Sequence, residues 1–179
     1  LGTRLLFCTD GGARSSKGSF GWIIATGNDF LWECYGTAPG WFTNSFRSEG
    51  VGQLAILVFL EAYLYYHQLG DVPSPQFPTD SAPWLRIATN NEGLISRIKA
   101  GLDTKTVFAG AALSPEYDVI NEILESLKRL PVKFVWEHVK GHQDDRKKWY
   151  ELTRMETLNV RADYLASFGL AQIAHPVKQ

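Results

Sequence analysis

Apolar positions follow one period at the start of the chain and another further on. Leu5, Leu6, Phe7 and Cys8 form an unbroken apolar run, the pattern of a strand buried on both faces. Gly18 to Thr26 and Phe30 to Gly36 are rich in aromatic and β-branched residues. The turn signal Gly27-Asn28-Asp29 lies between them, so a meander of three antiparallel strands is expected. From Ser48 the period lengthens. Val51, Leu54, Ala55, Val58, Phe59 and Ala62 recur at helical steps, with Glu49 in the first turn, where the helix dipole favours a carboxylate.

Asp71 to Trp84 holds Pro73, Pro75, Pro78 and Pro83 and reads as an irregular surface connector. Leu85 to Thr89 reads as a fourth strand, and Asn91 caps a helix carrying Leu94, Ile95 and Ile98. Ala100 to Leu113 is poorly patterned. Ser114-Pro115-Glu116 then places a capping serine and a proline at the start of a helix with Val119, Ile120, Ile123, Leu124 and Leu127. Val132 to Val139 alternates as a fifth strand, Lys140 to Lys148 breaks into a polar loop, and a last helix runs from about Leu158 to Ala171. The order predicts one mixed α/β domain over residues 1–179 with a strand meander at one end.

Composition narrows the function classes. The 179 residues are 45% hydrophobic, enough for one real core, and the net charge of −1 excludes a generally basic protein. A nucleic-acid partner would have to be held by local geometry, by metal ions or by a tethered neighbour. Cys8 and Cys34 have neither zinc nor disulfide spacing and fit a reducing compartment. No apolar run approaches the roughly 20 residues of a membrane span, and the opening residues lack a signal-peptide layout. The start at Leu1 is expected to be a cut from a longer polyprotein.

The chemistry centres on Asp10, a carboxylate near the end of an apolar strand, followed by Gly11 and Gly12. Two readings stand on that stretch alone: a turn acid bonding its own backbone, or a ligand beside glycines that let a substrate approach. Glu49 is likewise either a helix-start residue or a site acid. Asp163 is either a surface acid of the last helix or a member of the same site. Asp10, Asn90 and His142 all follow strands of the expected sheet, where α/β folds place ligands. Gly11 to Ser19 lacks the Gly-Lys-Ser/Thr ending of a phosphate-binding loop, and no nucleophile elbow accompanies the serines.

Five segments in order, Thr9-Asp10-Gly11-Gly12, Arg47-Ser48-Glu49, Thr89-Asn90-Asn91, Val139-Lys140-Gly141-His142 and Asn159 to Ala166, resemble the ribonuclease H family across nearly the whole chain. Asn90 to Ile95 and Ser114 to Val119 look most like the ribonuclease H domain of a reverse transcriptase from a long-terminal-repeat retroelement. The resemblance implies a five-stranded mixed sheet, antiparallel through its first three strands and flanked by helices. It also implies cleavage of the RNA strand of an RNA–DNA hybrid with two Mg²⁺ ions, replaceable by Mn²⁺. Asp10, Glu49, Asn90 and Asp163 take the metal positions, and His142 follows as a proton-moving residue near the leaving group. Gly11, Gly12, Arg14, Thr43, Asn44, Ser45, Arg47 and Asn91 are expected to meet substrate. The implied partner is a polymerase domain in the same polyprotein, and the implied setting is cytoplasmic, in a virus-like particle or reverse-transcription complex. No membrane partner is expected.

One position departs from the family. Asn90 stands where the family has an aspartate, which implies a substituted or naturally weakened enzyme; Glu92, inside the next helix, is poorly placed to replace it. The alternative is an inactive hybrid-binding or assembly module of the same fold.

Overall fold

A computed structural model of the chain describes residues 5–67, 84–103 and 114–174. The expectations for the proline-rich connector, except Trp84, and for 104–113 lie outside the described residues. Five strands, β1 (Leu6–Arg14), β2 (Lys17–Ala25), β3 (Phe30–Ala38), β4 (Trp84–Thr89) and β5 (Lys133–His138), form one sheet in the order β3-β2-β1-β4-β5. The first three pair antiparallel, and β1, β4 and β5 run parallel. Four helices, α1 (Ser45–Tyr66), α2 (Glu92–Asp103), α3 (Tyr117–Arg129) and α4 (Arg154–Ala174), flank it. The expected mixed α/β architecture is therefore the observed one.

The apolar run of β1 has two faces to fill. Phe7 joins Phe20, Trp22, Ile56, Leu57, Ile87, Leu94 and Ile123 in the core beneath α1, α2 and α3. Leu6 and Cys8 join Ile23, Ala88, Met155, Leu158 and Leu165 beneath α4. Asp10 has the parity of Leu6 and Cys8, so its side chain lies on the α4 side of the most central strand.

Gly11 and Gly12 do not turn the chain. They stay in β1, opposite Phe20 and Ser19 of β2, and the hairpin turns at Ser15 and Ser16, whose φ angles are 51° and 61°. Gly11 is required by a close approach: a Cβ there would collide with the backbone of Ser48 and Glu49. The missing side chain at Gly11 admits a helix.

Three helix starts also differ from expectation. Asn44 caps α1 by accepting from Arg47 N at 2.7 Å, so Glu49 sits beyond the first turn and owes its position to burial, not to the helix dipole. α3 begins at Tyr117, after Glu116 with φ 58°, and the Ser114 carbonyl accepts from Tyr117 N. Glu116 tolerates that left-handed backbone because its carboxylate is bound by Arg47 and Asn44. α4 begins earlier than its apolar pattern, where Thr153 and Glu156 satisfy one another's backbone N–H groups in a capping box.

Candidate active site

The parallel pairing of β1 with β4 ends at Cys8 and Ala88, and the two strands part just before Asp10. Asp10 is 4% exposed. Its Oδ1 accepts from Gly11 N at 2.7 Å, and its Oδ2 accepts from the side-chain amides of Asn90 at 3.1 Å and Asn159 at 3.4 Å. Glu49, also 4% exposed, accepts from the Thr89 hydroxyl at 2.9 Å and from the Asn91 amide at 3.3 Å. Burial pushes the Asp10 carboxyl up to about 7, with the Asp163 charge adding to it, and pushes Glu49 up to about 8, with the Asp10 charge adding. The hydrogen-bond partners named above are all neutral, so they offset the lost hydration only in part.

Asn90 and Asn91 leave β4 side by side and divide their work. Asn90 donates to Asp10 while its carbonyl contacts His138 Nε2 at 3.1 Å, which ties the end of β4 to the end of β5. Asn91 caps α2 through Oδ1, which accepts from Leu94 N at 2.9 Å, and turns its NH₂ to Glu49. One asparagine is thus both helix cap and site residue.

Asp163 is half-buried and stands with His142, whose Nδ1 lies 3.8 Å from Asp163 Oδ2. Partial burial raises the Asp163 carboxyl; His142 opposes this, while Asp144 and Asp145 add to it. His142 is exposed, on a left-handed backbone with φ 52°, and Gly141 before it packs against Asn90. Among the described residues, no three of His, Cys, Asp and Glu are grouped closely enough to hold a metal ion. The physical reason is visible in the side chains: Asp163 faces His142, and position 90 brings an amide. The donor set still suits hard cations, since Asp10, Glu49 and Asp163 offer carboxylate oxygens and two of them are buried with mutually unfavourable charges. Asn90 would complete it only by presenting Oδ1 in place of the NH₂ that now faces Asp10.

Residues expected to meet substrate fall into two groups. Arg14, Asn44 and Ser45 are exposed. Arg47 is committed within the protein: Nε donates to the Pro39 carbonyl at 2.7 Å, and its NH groups bind Glu116 at 2.6 Å and Asp118 at 2.7 Å. Thr43 is buried and holds the chain through its N–H to the Ser16 carbonyl at 3.0 Å, and Gly12 packs against Leu170. Sequence reasoning passed over Asn159, Thr89 and His138 as individual site members. Asn159 was findable, because it lies four residues before Asp163 on the same helix face.

No protein-family model and no curated protein matches the chain. Solved structures do. Ribonuclease H1 of the halophilic archaeon Halobacterium salinarum superposes with a TM-score of 0.57 at 14% identity, covering 94% of this chain and 98% of that one. The fold is ribonuclease H-like. A second structure with the ribonuclease H-like fold, LC11 ribonuclease H1 in complex with RNA/DNA hybrid, gives 0.60 at 18% identity, covering 96% and 99%. The foamy viral protease-reverse transcriptase in complex with double-stranded DNA gives 0.58 at 15%, covering 93% and 94%. Within this ribonuclease H-like sheet, Asp10, Glu49 and Asn90 meet at the carboxyl ends of the parallel strands.

Proposed function

We propose that this chain is a ribonuclease H-type domain that binds RNA–DNA hybrid and hydrolyses its RNA strand through metal-assisted chemistry, with activity held low by Asn90. The observation that carries the reading is the pair of buried carboxylates, Asp10 and Glu49, each raised toward neutral pH and surrounded by amides and a hydroxyl. A protein keeps such a costly pair where charge is used. Two divalent cations at this place, Mg²⁺ or Mn²⁺, would supply an activated water and a stabilised leaving oxygen. Asp10, Glu49 and Asp163 would hold them. His142, exposed beside Asp163, would pass a proton toward the departing strand. The hybrid substrate is supported by the LC11 ribonuclease H1 complex, which shares the fold. A retroelement source, with a polymerase domain as neighbour and a cytoplasmic reverse-transcription complex as setting, is supported by the Asn90 to Ile95 and Ser114 to Val119 segments and by the foamy viral likeness.

A second reading has an observation of its own. The Asn90 amide donates to Asp10 and satisfies in part the charge that an aspartate would have worsened. That favours a hybrid-binding module without catalysis. Asn90→Asp separates the two: the enzyme reading expects cleavage of the RNA strand of a labelled hybrid to rise sharply with Mg²⁺. An Asn90→Asp protein that leaves the hybrid intact in both Mg²⁺ and Mn²⁺ overturns it.

A further inference from the structure

The loop from β3 to α1 carries two consecutive aromatic residues almost wholly in solvent: Trp41 is 95% exposed and Phe42 is 86% exposed. Isolated apolar residues on a surface are ordinary, but two adjacent rings projecting from a fixed base are not. The base is fixed on both sides. Before the rings, Arg47 Nε holds the Pro39 carbonyl, and Gly40 takes a φ of 140° that other residues rarely adopt. After them, Thr43 is buried and bonded to Ser16. The backbone that carries the rings therefore has little freedom left to lose on binding.

Trp41 also lines a groove of about 570 Å³ with Ser16, Lys17, Gly40, Thr43 and Ile173. Lys17 is exposed, and Arg14, its partner across the hairpin, is exposed beside it. Arg47 cannot join them, because its charge is matched by Glu116 and Asp118. The groove thus combines a cation with an aromatic face. Its lining residue Thr43 directly precedes Asn44, which caps the helix bearing Glu49.

That pairing fits unpaired nucleotides. A base inside a duplex is stacked on its neighbours and offers no face to a side chain, whereas a single strand offers every base to an aromatic ring and its phosphates to a cation. We infer that Trp41, Phe42 and Lys17 form a binding site for a single-stranded extension of the nucleic acid, stacking its bases beside the site that holds the duplex. The inference rests on the hybrid-binding reading above and names the part of the substrate it leaves open. It also supplies affinity that a chain of net charge −1 does not draw from overall charge.

The test is fluorescence anisotropy of labelled RNA–DNA hybrids in Mg²⁺. One hybrid is blunt; the others carry a short single-stranded extension at each end of each strand in turn. At least one extension is expected to tighten binding about tenfold, the effect of one stacked base. Trp41→Ala/Phe42→Ala is expected to lose that gain and keep blunt-hybrid affinity, with an unchanged melting temperature as the folding control. Lys17→Ala should lower the slope of log affinity against log salt by about one for the extended hybrid only. Blunt binding with no gain from any extension, or a gain that survives the double substitution, overturns this site and leaves the hybrid reading standing. Aromatic-dependent binding of a single strand with no binding of blunt hybrid would leave the site standing and remove the hybrid reading.

Discussion

Two clusters of acids flank the first half of α1, and they are held in opposite ways. On one side Glu116 and Asp118 close on Arg47, which holds the Asp118 carboxyl below its ordinary value and is itself raised by both acids. On the other, Asp10 and Glu49 are buried among neutral donors and rise to about 7 and 8. The first cluster is complete within the chain: it ties the start of α1 to the start of α3, as Arg129 and Glu61 tie their later turns. The second is not, since the Asp163 charge raises the cost of ionising Asp10, and Asp10 that of Glu49. Acids that a fold needs for itself are given a guanidinium; acids it needs for something else are left with amides.

The largest expected effect lies in the incomplete cluster. In an Asn90→Asp background, Asp10→Asn should cut hybrid cleavage by on the order of a thousandfold, the loss of several kcal/mol of charge stabilisation, while the melting temperature changes little. Retention of most of the rate would show that Asp10 is not at the reaction centre.

Next comes the complete cluster. Arg47→Met leaves the largely buried Glu116 with only the neutral Asn44 amide and should destabilise the fold by about 2–4 kcal/mol, read from urea unfolding. Its effect on hybrid affinity, corrected for unfolded protein, should be slight. A specific loss of affinity with stability intact would mean that Arg47 serves substrate after all.

A smaller effect separates the clusters by pH. Between the ordinary carboxylate range near 4 and the raised values of Asp10 and Glu49, the folded protein keeps protons that the unfolded chain has released. Stability from this source is greatest below that range and is lost as pH rises through it toward 8. In EDTA the melting temperature should therefore be lower at pH 9 than at pH 6, and Glu49→Gln, whose amide can still meet Thr89, should flatten the decline. Divalent cation should restore part of the loss at alkaline pH. A decline that persists undiminished in Glu49→Gln would assign it to other groups. At the bottom of the scale, Lys128→Ala removes an exposed ion pair with Glu125 and should leave calorimetric melting unchanged.

How far these clusters could be read in advance depended on the range of the signal. The strands and helix faces were legible because burial imposes a period of two or of three to four on consecutive residues, as at Phe7 and Cys8 or Leu94 and Ile98. The set of Asp10, Glu49, Asn90 and Asp163 could be read only as an ordered series through the resemblance; the structure bonds Asn90 to Asp10 and puts Asp163 both beside His142 and near enough for its charge to raise Asp10. The freedom to turn read into Gly11-Gly12 goes unused because glycine marks turns locally, while the reason for Gly11 here is α1, a helix nearly forty residues on. Ser114-Pro115 misled for a similar reason: Arg47 fixes Glu116 in a backbone conformation that delays α3. The role of Arg47 rests on residues that meet it only in the folded chain, so nothing beside it in sequence announced a clamp.

Gly11 also says where this site is vulnerable. The separation of Asp10 from Glu49 is set by how closely a strand and a helix touch, and they touch where a side chain is missing. Scanning mutagenesis that trims side chains to alanine adds an atom at this position instead of removing one. Substitution there would act as a wedge, parting two acids without altering either. In a lineage of such domains, the first heritable change to disable the pair need not fall on a carboxylate at all.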